Sequence, residues 1–377
     1  MLEAVPLVRV LYNNRELYTM SIFDKSSELK EARMFFGDGH FLQEFLEPAY
    51  PWALKAADRQ NSQDWAWDEF PLKLDAAQLS TANTAIRHIF TSNLQSQIFA
   101  DTIQGRGPSW LVPYLSDPSL EAAFAQWSRF EILHSRTYTN ILTSMYPNPR
   151  IVLDMIEQKP EVFSRFSQCV KAYDEFFDNP SKENLVILIA AINILEGLSF
   201  YASFICNFAF ANMGLFESVA KFLKLIARDE ALHLGVTQQI IKSWRTGKDG
   251  KEWKDLWNKN KDRVREMYVS AIQEEYEWSK YLFQYGTPIV GLNEEVLNRC
   301  IDYYANKRMK NIGLKEYNNV TRDPLPWVQT KYLSNSGFQD APQEVSIVAY
   351  LKGSMTKVED LADVTNLFKN FELVYPR

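Results

Sequence analysis

Two copies of the motif Glu-x-x-His lie on stretches that otherwise predict buried helix faces. One copy is Glu131 and His134, and the other is Glu230 and His233. Steps of three and four residues along each stretch meet mostly large apolar side chains, the pattern of a helix face turned towards a core. A carboxylate buried without a partner is costly, so each pair needs a compensating charge. Because residues three apart project side by side on a helix, each motif predicts half of a metal site.

Two further acids occupy predicted core positions. Glu196 lies among apolar residues of another helical stretch, and Asp101 extends an apolar line, Phe90, Leu94 and Ile98, by one turn. The sum is four carboxylates and two imidazoles from four helices. This set matches the ligands of dinuclear carboxylate bundles, with Asp101 in place of one Glu. Four negative charges would offset two divalent cations.

A single Glu-x-x-His motif is weak support, because 47 of 377 residues are acidic. A given histidine therefore has about one chance in eight of an acid at that offset. Two of the four histidines show the motif, both on apolar faces, which favours metal binding over coincidence. His40 and His88 have no acid three residues before them, and we expect surface or structural roles for both.

The spacing of apolar residues, with Gly or Pro at the breaks, predicts successive long helices. Together they predict an all-α fold, a helical bundle enlarged with extra helices. We expect an unassigned N-terminal extension at residues 1–33, a helical domain at 34–345 and a flexible polar tail at 346–377. The predicted helices are 80–104, 117–146, 182–211, 216–245, 262–285 and 293–311.

Charge and cysteine content limit the binding partners and the cellular compartment that we expect for the protein. The net charge is −6 and the basic residues are spread along the chain, so we expect no contact with nucleic acid or membrane lipid. The apolar run Leu185 to Ile192 is too short for a membrane span, which needs roughly 20 residues. Three scattered cysteines and no signal-peptide pattern predict a cytoplasmic protein.

Tyr138 lies one turn beyond His134 on the same face, so its phenol should point into the bundle near the metals. Most buried tyrosines are core residues with a bonded hydroxyl. Here the phenol of Tyr138 would lie beside an oxygen-activating metal pair and would be enclosed by Phe200, Phe204 and Ile226. These neighbours favour a redox role for Tyr138 over an ordinary core role. Asp229, next to Glu230, is placed to accept a hydrogen bond from a ligand imidazole, although a solvated helix acid fits the sequence equally.

These motifs resemble the small subunits of class I ribonucleotide reductases, from about Phe35 to Leu373. The similar stretches are FFG at 35–37, DTIQGR at 101–106, EILHSRTY at 131–138, residues 196–210, ARDEALH at 227–233 and residues 341–350. The resemblance implies a ferritin-like bundle in which Asp101, Glu131 and His134 ligate one metal and Glu196, Glu230 and His233 the other. Some of these carboxylates would bridge the metals, two iron ions or manganese, which activate dioxygen. Tyr138 would carry the stable radical.

The resemblance also implies a radical path and a partner. Trp65, Asp229 and His134 would lead away from the site. Tyr350, assisted by Glu344, would pass the oxidising equivalent to a large catalytic subunit. The tail end, Asn370, Phe371, Glu372 and Leu373, would dock that subunit, and the chain would form a homodimer. Trp67 lies two residues from Trp65 and competes for its role in the path.

Two other functions use the same ligands. A dimetal-carboxylate oxidase or hydroxylase acting on its own bound substrate would need neither a protected tyrosine nor a docking tail. An iron store would assemble into a shell of many subunits, which the long aromatic-rich chain and its tail disfavour. Carboxylate and imidazole ligands suit both iron and manganese, so the sequence leaves the metal open.

Overall fold

The computed structural model describes residues 33–37 and 43–333, and the regular structure within them is helical. Phe35 and Leu115 form an isolated β-bridge, and no β-strand occurs in these two ranges. The predicted all-α fold is confirmed. The helices are α1 (Pro51–Ser62), α2 (Lys73–Thr81), α3 (Thr84–Gln104), α4 (Gly107–Leu111), α5 (Pro118–Met145), α6 (Pro149–Asp154), α7 (Pro160–Ser164), α8 (Ser167–Asp178), α9 (Lys182–Ile194), α10 (Phe200–Asn212), α11 (Glu217–Thr246), α12 (Lys251–Leu282), α13 (Glu294–Asn311) and α14 (Pro326–Val328).

Helix starts follow local capping chemistry. The side chain of Asn83 accepts a hydrogen bond from the Ile86 amide at the start of α3, and Asp117 accepts one from Ser119 at the start of α5. The predicted start of α3 at Ser80 is wrong, because α2 ends at Thr81 and the chain turns before the Asn83 cap. Helix α12 begins at Lys251 rather than at the predicted residue 262. Its first turns bury Trp253 and Trp257, but the many charged residues around them hide the apolar pattern in the sequence.

The predicted single helix over residues 182–211 is interrupted. A π-helical turn, Leu195–Ser199, separates α9 from α10, and Glu196 lies within it. Such a turn adds one residue to the helical path and is common at functional sites. The combined segment Lys182–Asn212 is long and apolar enough to cross a membrane, but its most apolar stretch is completely buried. It is therefore a core helix.

The central helices pack around this core segment. Helix α10 lies against α3 and α11, α5 lies against α3 and α11, and α9 lies against α11 and α12. Helices α1 and α2 contact α5, while α13 contacts α12 and the π turn. The four segments that carry the predicted metal ligands, α3, α5, the π turn and α11, thus form the middle of the bundle.

The chain divides into two compact units, residues 1–328 and 329–377. Of the second unit, the structure describes a π-helical turn, Gln329–Leu333. The predicted extension up to residue 32 and the predicted tail lie outside the described residues, and their limits stay predictions.

All three cysteines of the chain are free and buried. Burial raises the pKa of the Cys169 thiol to about 12, and it raises that of Cys206 to about 12 as well. These thiols therefore stay protonated at neutral pH.

Candidate metal centre

Six predicted ligands meet in the middle of the bundle, and each is at most 1% exposed. They come from α3, α5, the π turn and α11. The two Glu-x-x-His motifs each occupy a single helix face, which the apolar neighbours turn inward. The set consists of Asp101, Glu131, His134, Glu196, Glu230 and His233.

The ligand atoms form two overlapping groups. One group is Asp101, Glu131, His134 and Glu230, and the other is Glu131, Glu196, Glu230 and His233. Within each group the ligand atoms lie within 4.8 Å of one another. Because Glu131 and Glu230 belong to both groups, they are the two carboxylates able to bridge a pair of ions.

Several oxygens in this site have no hydrogen-bond partner. Both carboxylate oxygens of Asp101, and one each of Glu131, Glu196 and Glu230, are buried and accept no hydrogen bond of good geometry in the described structure. His134 Nδ1 lies near two of them, 3.1 Å from Glu230 Oε1 and 3.7 Å from Glu131 Oε2. Buried polar atoms without partners are rare in proteins and call for an ion or water. Oxygen and imidazole donors of this kind suit iron and manganese. The residues therefore fit a dinuclear metal centre.

The pKa values show electrostatic repulsion between the buried carboxylates. Burial, and then the charge of Glu131, raise the pKa of Asp101 well above its ordinary value. Burial and the charge of Glu230 do the same for Glu196. Burial also favours a protonated Glu131, but its bonds to His134 and His233 outweigh this effect and lower its pKa to about 2. These opposite shifts follow from packing several carboxylates and two imidazoles into one buried site.

Tyr138 is 1% exposed, and its hydroxyl has no hydrogen-bond partner among the described residues. Burial raises the pKa of this phenol well above 10, and the charges of Asp101, Glu230 and Glu131 raise it further. The phenol is therefore held protonated, in a buried position close to the carboxylates.

The Nε2 atom of each predicted ligand imidazole contacts a polar side chain, Asp229 for His134 and Gln60 for His233. His134 Nε2 lies 3.3 Å from Asp229 Oδ2, and the indole nitrogen of Trp65 donates to the same oxygen at 2.8 Å. The Trp65 and His134 rings are stacked, with centroids 6.0 Å apart. The structure thus brings together the three residues of the implied radical path. Trp67 instead contacts Arg136, whose guanidinium carbon lies 5.0 Å from the centroid of the Trp67 ring.

Sequence reasoning missed three polar contacts of the site. Gln60 Nε2 lies 2.6 Å from His233 Nε2, Trp127 donates to Glu131 at 2.8 Å, and Gln104 donates to Glu196. Gln60 belongs to α1, a short helix whose buried residues are Ala53, Ala57 and Gln60 itself, so no large apolar side chains mark its inner face in the sequence. Trp127 precedes Glu131 by one turn on the same face, so the spacing carried a signal for this bond.

The remaining predicted residues lie elsewhere. His88 has a structural role, as expected, because its Nε2 lies 2.8 Å from the carbonyl oxygen of Tyr281. His40, Glu344, Tyr350 and the docking residues Asn370, Phe371, Glu372 and Leu373 lie outside the described residues.

Fold and site together define a helical-bundle protein built around a buried cluster of carboxylates and histidines that fits two metal ions. The family model "Ribonucleotide reductase, small chain" matches residues 43–324. The chain is 33% identical over 374 residues to ribonucleoside-diphosphate reductase 1 subunit beta of Salmonella typhimurium, covering 93% of this chain and 99% of the relative. The corresponding subunit of Enterobacteria phage T4 is 33% identical over 84% of this chain and 91% of its own length.

Solved structures agree on the fold. A ribonucleotide reductase R2 subunit from Clostridium botulinum superposes with a TM-score of 0.75 at 24% identity, covering 82% of this chain and 97% of that one. A dimanganese(II) protein from Streptococcus sanguinis gives a TM-score of 0.65 at 18% identity, covering 79% and 100%. The chain belongs to the ribonucleotide reductase small-chain family.

Proposed function

We propose that this chain is the radical-generating small subunit of a class I ribonucleoside-diphosphate reductase. The observation that carries the proposal is the convergence of six buried ligands, in two groups sharing Glu131 and Glu230, beside the buried phenol of Tyr138. The named relatives are beta subunits of the same enzyme over nearly the whole chain. Family membership favours this function over the oxidase or hydroxylase acting on its own substrate.

The six ligands would hold two metal ions, with Asp101 and His134 on one ion and Glu196 and His233 on the other. When bound, these metals would activate dioxygen and supply a one-electron oxidant. Iron is the metal we propose first. Manganese is the alternative, supported by the structural neighbour described as a dimanganese(II) protein.

Tyr138 would be the residue oxidised. Because its pKa is raised, the phenol would lose its hydroxyl proton together with the electron. Burial would then protect the phenoxyl radical from water and reductants.

The hydrogen-bonded chain of His134, Asp229 and Trp65 would carry the oxidising equivalent outward. The hydrogen bond from Trp65 to Asp229 supports Trp65, rather than Trp67, in this role. Tyr350 would pass the equivalent to a large catalytic subunit, which the tail residues Asn370 to Leu373 would dock. We further propose a cytoplasmic homodimer that contacts neither nucleic acid nor membrane.

The direct test is electron paramagnetic resonance after aerobic reconstitution with ferrous iron, repeated with manganese. We expect a tyrosyl signal from the unchanged protein and none from Tyr138→Phe, with two metals bound per chain in both. Metal content measured on the same samples separates a lost radical from lost ligands. Two bound metals with no tyrosyl signal under either condition would refute the radical function.

A further inference from the structure

Two buried arginines contact the π turn Leu195–Ser199 from outside the ligand-bearing helices. Arg308, on α13, donates from Nε to the carbonyl oxygen of Gly197 at 3.3 Å. Its guanidinium lies 4.9 Å from the ring centroid of Tyr201 and 5.7 Å from that of Tyr304. Arg308 therefore packs against two neighbouring aromatic rings while it bonds the turn.

Gly197 lets Arg308 approach this closely. A Cβ atom at Gly197 would lie 3.1 Å from Arg308 Cγ and 3.0 Å from Leu234 Cδ1, tighter than ordinary van der Waals contact. Glycine weakens a helix interior, so a glycine here needs a packing reason. The passage of the Arg308 side chain over the turn supplies that reason.

Arg165 contacts the other end of the turn. Its Nη2 donates to the carbonyl oxygen of Ser199 at 2.7 Å. The same guanidinium forms a two-pronged ion pair with Glu275 at 3.0 and 2.7 Å, donates to Ser96, and lies 4.5 Å from the ring centroid of Trp278. These partners lie on α3 and α12, so Arg165 ties the turn to two other helices.

We propose that Arg165 and Arg308 are positioning residues that clamp the π turn and thereby aim the Glu196 carboxylate at its metal. A π turn carries one residue more than the regular helix, and relaxation towards a regular path would rotate Glu196 about the helix axis. The hydrogen bonds from Arg308 to the Gly197 carbonyl and from Arg165 to the Ser199 carbonyl would oppose this relaxation. The inference rests on the metal-binding function proposed above.

The ligand groups make this proposal selective. Glu196 belongs to the group with His233 and is absent from the group with Asp101. Loosening the turn should therefore weaken one metal site and spare the other. A general loss of stability would weaken both sites together.

The experiment is a stepwise titration of the metal-free full chain with Co²⁺ under nitrogen, followed by calorimetry and visible absorption. We expect the unchanged chain to bind two Co²⁺ ions. Arg308→Met should keep one binding step and weaken the other by about 10- to 100-fold, the usual effect of losing an outer partner of a metal ligand. Arg308→Lys, which keeps a donor, should recover part of this affinity.

A second arm uses Arg165→Met combined with Glu275→Leu, because removing both charges avoids an unpaired buried carboxylate. It should weaken the same binding step, and it carries the test if Arg308→Met does not fold. Ser96→Ala is the matched control, since it removes a partner of Arg165 but leaves the bond to Ser199. Its two binding steps should be unchanged.

A double-mutant cycle closes the test. If the arginine acts through Glu196, Arg308→Met should cause no further weakening in a Glu196→Gln background. Unchanged affinities in both arginine variants, equal weakening of both sites, or further weakening in that background would overturn the clamp. Failure of the unchanged chain to bind two Co²⁺ ions would instead contradict the metal-binding function itself.

Discussion

The buried pair of Arg165 and Glu275 allows a quantitative prediction about stability. Both side chains are 1% exposed and their charged atoms approach to 2.7 Å. Arg165→Met would leave Glu275 buried without its partner, which costs about 3–5 kcal/mol. The combined variant Arg165→Met/Glu275→Leu removes both charges and loses chiefly the bonds from Arg165 to Ser96 and Ser199. At about 1 kcal/mol each, these amount to about 2 kcal/mol, so the double variant should be more stable than the single one.

The assay is urea unfolding of the metal-free chain, followed in parallel by tryptophan fluorescence and circular dichroism. Burial raises the pKa of Glu275, and Arg165 is the main influence that lowers it. The pKa of Glu275 should therefore rise further in Arg165→Met, and this variant should lose stability as the pH rises above the ordinary pKa of glutamate. If the double variant lost as much as the two single variants added together, the interpretation as a coupled buried pair would be wrong.

Three further predictions concern the site and the pH response. Asp229→Asn should leave the Tyr138 radical intact but lower nucleotide reduction with the large subunit by at least about tenfold, measured beside the radical signal; an unaltered rate would contradict the path through Asp229. Saturating metal at about 100 times its dissociation constant should stabilise the chain by about 2.7 kcal/mol per site, seen as a higher melting temperature that a chelator reverses; equal melting temperatures would count against the site. Burial raises the pKa of Glu274 from 4.5 to about 7, so its ionisation destabilises the fold as the pH rises through that window. Glu274→Gln should therefore match the unchanged chain near pH 4.5 and exceed its stability by about 1 kcal/mol above pH 7, a figure discounted for partial exposure; urea unfolding at both pH values checks it, and a constant difference would refute it.

The buried cluster of acids and histidines could be predicted because ionisable residues interrupt strong apolar periodicity. Glu131 and Glu230 each stand out against large apolar neighbours on one helix face, and the structure buries both. The same periodicity located α5, α11 and α13 to within about one or two residues of their observed ends. Long, uniform helices leave a clear record in a sequence.

Other features leave no such record. The π turn at Glu196 lies in a stretch that is apolar on all sides, so an added residue does not disturb any visible pattern. Gln60 reaches His233 from a short helix far away in sequence, and only tertiary packing brings the two together. The choice between Trp65 and Trp67 likewise depends on which indole reaches Asp229, a contact set by the fold.

The burial of the native cysteines has a practical consequence for chemical labelling. With a pKa of about 12, the thiol of Cys169 or Cys206 exposes only about one thiolate in 10⁵ molecules at neutral pH. A cysteine introduced at an exposed position such as Ile132, which is 54% exposed, would then react with maleimide or a nitroxide reagent far faster than the native thiols. A nitroxide placed there would allow dipolar spectroscopy to measure its distance to an unpaired electron inside the protein, without first removing any natural cysteine.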